Sequence, residues 1–98
     1  MSEFMGLIRG VYEAKKEGFL PGGGSLHSMM SAHGPDKVTF EMASKEELVP
    51  KRVSETALAF MFESSYMLSL APYAQRDEFI DQNYVDCWAG LEKHFKKD

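Results

Sequence analysis

Apolar residues along this chain follow two spacings, separated by an irregular stretch. In "GLIRGVYEA" apolar and polar positions alternate at Leu7, Arg9, Val11 and Glu13, although Gly6, Ile8 and Gly10 blur the period. Glycines at 6 and 10 disfavour a helix by about 1 kcal/mol each relative to alanine. The segment therefore reads as a strand over residues 4–13, followed by a turn through "AKKEG". "TALAFMFESS" also reads as a strand, with Leu58, Phe60 and Phe62 on one face and Ala57, Ala59 and Met61 on the other. Apolar residues on both faces predict a strand over 56–65 buried on both sides. "YMLSLA", after a Ser-Ser connection and before Pro72, predicts a second such strand. From Asp77 the period changes: Phe79, Ile80, Tyr84, Cys87, Trp88, Leu91 and Phe95 recur at steps of three and four. That spacing predicts a C-terminal amphipathic helix over 76–98, in one piece or in two broken near Asp81 to Asn83.

Between these patterns lies "FLPGGGSLHSMMSAHGPD", residues 19–36, with three consecutive glycines and a proline on each side. It reads as a long irregular loop, and loops longer than ~12 residues inside a compact domain tend to carry function. Asp36 is a fair N-cap for a helix in "KVTFEMASKEEL", which Pro50 ends. The result is a mixed α and β chain. Its two-faced strands need neighbours, and the chain has few other strands to offer, so it reads as part of something larger.

Composition narrows the classes. A length of 98 residues suits one domain. The net charge of −4 and the lack of a dense basic stripe argue against nucleic acid. Lys15, Lys16, Lys96 and Lys97 read as short solvated pairs. No apolar run approaches the roughly 20 residues of a membrane span, and "MSEFMGLIRG" lacks the basic start of a signal peptide. The single cysteine, Cys87, reads as a buried structural thiol and fits a reducing, cytoplasmic setting.

The glycine loop holds two of the three histidines, His27 and His33. It has neither the spacing of a dinucleotide fingerprint nor the Lys-Ser/Thr of a P-loop, so a phosphate cradle is not indicated. Thiolate-based structural zinc is excluded in a monomer with one cysteine. Two histidines in a constrained loop suit a metal that accepts imidazole and carboxylate together, such as non-haem iron(II). The candidate carboxylates are Glu3, Glu13 and Asp36, and spacing does not choose among them. Tyr12 reads as an ordinary residue of the first strand, Met29 and Met30 as filling beneath the loop, and His94 as a solvent-facing helix residue.

The segments "MSEFMGLIRGVYEAKKEGFLPGGGSLHSMMSAHGPD", "FEMAS", "LAFMFESS" and "NYVDCW" resemble the C-terminal part of the homogentisate 1,2-dioxygenase family, across essentially the whole chain. The resemblance implies the C-terminal portion of a cupin-like β-sandwich of jelly-roll type. It divides the single unit 1–98 into an iron and substrate strand with the glycine loop (1–36), a helix with buried strands (37–75) and the C-terminal helix (76–98). It further implies a cytosolic hexamer that uses Fe(II) and dioxygen to open the ring of homogentisate, giving maleylacetoacetate in tyrosine and phenylalanine breakdown. Residue by residue, Glu3 and His33 match metal ligands and His33 also faces the substrate. Tyr12 matches a substrate contact, and His27 matches a pocket histidine outside the ligand set with an acid/base role. The family's remaining iron-binding histidine lies six residues before the glutamate, outside this chain. The expectation is a C-terminal fragment that binds iron poorly alone; the alternatives are one half of a split enzyme or a non-catalytic interaction module.

Overall fold

The computed structural model describes residues 1–15 and 17–97, so Lys16, expected to be solvated, lies outside the described residues. Three strands form one antiparallel sheet: β1 (Ser2–Arg9), β2 (Gly24–His27) and β3 (Leu58–Ser64), in the order β2-β1-β3. One α-helix, α1 (Lys37–Ala43), and two short 3-10 segments, Pro72–Gln75 and Tyr84–Trp88, complete the regular structure. The mixed α and β reading stands.

β1 is shorter than the predicted 4–13 and ends at Gly10, whose φ of 79° takes the chain out of the sheet. Tyr12 therefore lies beyond the strand rather than on it. The glycine stretch is less irregular than expected. Leu20 to Gly23 form a tight turn closed by Gly23 N–H donating to the Leu20 carbonyl at 2.9 Å, with Pro21 second and Gly22 at φ 88° third. That is the residue pattern a type II turn demands. Gly22 and Gly23 then bond the main chain of Leu7, and Gly24 opens β2.

The Asp36 cap is observed: its Oδ1 accepts from Thr39 N–H at 2.7 Å, and α1 runs seven residues. β3 lies within the predicted 56–65, with Phe60 and Phe62 alternating against Ala59 and Met61, but without the expected burial. "YMLSLA" is not a strand; residues 66–71 carry no ladder. The expected C-terminal helix is replaced by the 3-10 turn at Tyr84–Trp88, with Gly90 at φ 78° just beyond. An amphipathic helix takes most of its stability from burying its apolar stripe, and here Phe79, Val85 and Phe95 remain exposed.

Successive residues of β1 point to opposite faces of the sheet. Glu3, Met5 and Leu7 share one face with Ser25, His27, Ala59 and Met61, hereafter the site face. Phe4 and Gly6 share the other with Leu26, Phe60 and Phe62, hereafter the open face. The apolar core is small: Met5 and Leu7 are buried, with the hydroxyl of Ser2 donating to the Tyr66 carbonyl and accepting from Met29 N–H. The accessible surface is 8315 Å² for 11.1 kDa, against roughly 5,700 Å² for a compact monomer of that mass. The radius of gyration is 15.2 Å, where ~13 Å suits a globule of this length. The strand expected to be covered on both sides is uncovered within this chain. Among the described residues no helix is long and apolar enough to cross a membrane.

Candidate metal centre

The site is built by strand register. β1 and β2 pair so that Glu3 faces His27 directly, putting a carboxylate and an imidazole side by side on the site face. After β2 the chain reverses through Ser28–Ser31, with Ser31 N–H on the Ser28 carbonyl and Met30 at φ 66°. The reversal brings His33 back over His27, their rings stacked at 4.0 Å and 10°. It also turns Met30 outward, so that only Met29 is partly covered beneath the loop. Glu3 Oε1 then lies 3.4 Å from His27 Nδ1 and 3.6 Å from His33 Nε2. One ligand-type atom from each of the three lies within 4.8 Å of the others.

The tautomer of His33 follows from its neighbour. Its Nδ1 sits 3.1 Å from the Ser31 carbonyl, which only accepts, so Nδ1 carries the hydrogen. In the neutral ring, Nε2 is then the lone-pair nitrogen, and it faces a carboxylate oxygen. Two acceptors facing each other across 3.6 Å leave a gap that a cation completes. A ligand histidine held by a backbone carbonyl through its other nitrogen is a common feature of metal sites. The donor set, imidazole and carboxylate without thiolate, fits iron(II).

His27 is the more enclosed of the two histidines, with 13% of its side chain exposed against 27% for His33. Burial first, and the neighbouring His33 second, push its pKa below the usual imidazole value, against the opposing pull of Glu3. Its Nδ1 is buried without an aligned hydrogen bond among the described residues, so the 3.4 Å contact with Glu3 is electrostatic. Of the other candidate carboxylates, Asp36 is committed to capping α1 and Glu13 points to solvent. Neither joins the cluster.

The cluster opens into a cavity of about 220 Å³ that Tyr12, Lys15, Phe19, Tyr84 and Trp88 also line. Tyr12 packs edge-on against Phe19, and burial, then Glu13 and Glu3, raise its pKa, so its phenol keeps its hydrogen. Lys15 is not the solvated residue its sequence context predicts: its ammonium lies 4.0 Å from the centre of the Tyr84 ring. Tyr84 in turn places its hydroxyl 2.8 Å from His27 Nε2. Trp88 donates its indole N–H to the carbonyl of Gly34, next to His33. Cys87 is half-buried on the cavity wall, its thiol pKa raised chiefly by burial. His94 is exposed, near Phe40. Sequence reasoning missed Lys15, Tyr84 and Trp88 as site residues, because the contacts that bring them in span long stretches of chain.

The profile of the family described as homogentisate 1,2-dioxygenase C-terminal matches residues 1–95. Proteins named homogentisate 1,2-dioxygenase are 64% identical in Dictyostelium discoideum and 56% identical in Homo sapiens, each over 96 residues. The protein of that name in Rhizobium johnstonii is 56% identical over 95 residues. The alignments cover 97–98% of this chain and 21–22% of those relatives. The chain thus spans about a fifth of the length of the curated relatives it matches.

Proposed function

The chain belongs to the homogentisate 1,2-dioxygenase family, and we propose that it supplies one side of the iron and substrate pocket of a ring-cleaving dioxygenase. The reaction is the opening of homogentisate by dioxygen to maleylacetoacetate, a step of tyrosine and phenylalanine breakdown in the cytosol. The convergence of Glu3 and His33 on one point, with the His33 lone pair turned to the carboxylate, carries this reading. Glu3 and His33 would hold iron(II), with the third protein ligand coming from the enzyme's N-terminal portion, in the same polypeptide or as a separate chain. When bound, the iron supplies the redox chemistry between dioxygen and the aromatic ring.

The chain's own residues bind and manage protons. His27, neutral near pH 7 because burial disfavours its charge, can take up a phenolic proton relayed through the Tyr84 hydroxyl on its Nε2. Tyr12 offers a neutral O–H to the substrate, and His33 borders the same space. Lys15 puts a positive charge in the cavity, where the acetate group of homogentisate has a partner. Phe19 and Trp88 form apolar walls that limit water. The remaining strands of a cupin-like sandwich would lie on the open face, whose aromatic residues lack cover here. Assembly as a hexamer belongs to the same proposal.

The test is anaerobic iron(II) titration, followed by oxygen uptake with homogentisate. The chain is measured alone and mixed with the N-terminal portion of a relative. Uptake is expected in the mixture and lost with Glu3→Ala or His33→Ala; uptake indifferent to both substitutions overturns the reading. An inert mixture in which the chain still binds a partner would favour the non-catalytic module.

A further inference from the structure

Distance does not separate ligand from neighbour in this site: His27 and His33 each bring a ring nitrogen to within 3.6 Å of the same carboxylate oxygen. What separates them is where each imidazole keeps its hydrogen. His33 is settled by the Ser31 carbonyl, which fixes the hydrogen on Nδ1 and bares Nε2 toward Glu3. For His27 the deciding neighbour is Tyr84, whose hydroxyl can donate or accept.

Two arrangements satisfy the 2.8 Å contact between His27 Nε2 and the Tyr84 hydroxyl. If Nε2 carries the hydrogen, the Nδ1 lone pair is buried against the Glu3 carboxylate at 3.4 Å, a repulsive pairing of acceptors. If the phenol donates, Nε2 is the acceptor and the hydrogen sits on Nδ1, facing the carboxylate attractively. Both contacts are then favourable, and because His27 Nδ1 is itself buried the difference counts for more than it would in water. Burial, with Cys87, Asp81 and Glu3 in support, also keeps the phenol in its O–H form.

We infer that Tyr84 is a positioning residue of the metal site: its hydroxyl donates to His27 Nε2 and holds His27 with Nδ1–H turned to Glu3. His27 then cannot offer Nδ1 to a metal, whereas His33 offers Nε2. The 3-10 turn Tyr84–Trp88 so holds both histidines, His27 through the phenol and the His33 loop through the Trp88 indole on Gly34. The Lys15 ammonium over the phenol ring helps keep that ring in place. This assignment rests on the metal reading for its purpose but not for its observation, because the tautomer exists without metal.

The experiment is long-range ¹H–¹⁵N correlation on the metal-free 98-residue chain labelled at histidine nitrogens, with His27→Gln identifying the His27 signals. The expected result is a protonated Nδ1 and a bare Nε2 in the wild-type chain. In Tyr84→Phe the His27 pattern should shift toward the Nε2–H form, while the His33 pattern stays unchanged. A wild-type His27 with hydrogen on Nε2, or with the mixed pattern of free histidine, overturns the inference without need of any variant. So does a His27 pattern that Tyr84→Phe leaves unmoved. Anaerobic iron(II) calorimetry on the wild-type chain is scored separately. Absence of binding that persists when the N-terminal portion of a relative is added strikes the metal reading, and the tautomer result stands as support for the positioning role.

Discussion

The two faces of the sheet share the same strands and fare differently. On the site face, Leu7 is 2% exposed, and Glu3 and His27 meet residues from the glycine loop and the 3-10 turn. On the open face, Phe62 is 67% exposed, while Phe60 lies over Gly6 and tilts against Phe4 and Phe62. Alternation along a strand commits side chains to two faces at once, but each face must find its own cover. Within these residues the better cover lies where the chemistry is, while the opposite face is left largely open.

If that contrast is right, truncations on the two faces should differ most of all. Leu7→Ala is expected to cost about 2–5 kcal/mol, as for a buried leucine. Phe62→Ala should cost under about 1 kcal/mol, far below the ~3–5 kcal/mol of a buried phenylalanine. Urea midpoints of the two variants check this, and equal losses would break the contrast. Next, Glu3→Ala should weaken iron(II) binding by more than about 100-fold, above the range that loss of a supporting partner produces. Calorimetry reads it, and a loss below tenfold would mean the site face is not a metal face.

Trp88→Phe removes one hydrogen bond to the loop, worth about 1 kcal/mol. It should raise hydrogen exchange around Ser31 to Gly34 while leaving β1 protected. The smallest effect concerns Cys87. Burial is the main force raising its pKa, with Asp36 and Asp81 adding to it against the pull of Lys15, so less thiolate is present at neutral pH than in a free thiol. Alkylation at pH 7.5 should run a few-fold slower than for glutathione, and the gap should narrow as pH rises. A rate matching glutathione would show that the cavity wall opens freely.

Much of this was legible. β3 announced itself as a short run apolar on both faces, and the Asp36 cap through residue type and position, because both signals are local. β2 was hidden by its glycines: a run that reads as a bend becomes a strand only once Leu7 offers main-chain partners. The C-terminal pattern promised a helix because its spacing is helical, but that spacing is realised only against a surface these residues do not provide. The histidine pair pointed to a metal from composition alone. Choosing Glu3 over Glu13 and Asp36 needed the cross-strand register, or the family resemblance, since neither follows from distance along the chain. Tyr84 was unreadable because its contact with His27 spans 57 residues.

The same separations set an order of assembly. Glu3, His27 and His33 all lie within the first 36 residues, and the turn at Pro21–Gly22 delivers two of them to each other. Pairing Ser2 with Ser64 closes a far longer loop, at an entropic cost larger by about 0.8 kcal/mol. During synthesis the carboxylate and both imidazoles are therefore made, with the turn that joins them, before β3. We expect amides of β1 facing β2 to gain exchange protection ahead of those facing β3 in pulse labelling; the reverse order would contradict this sequence of events. Tyr84 and Trp88 come last, as a latch on a pocket already outlined.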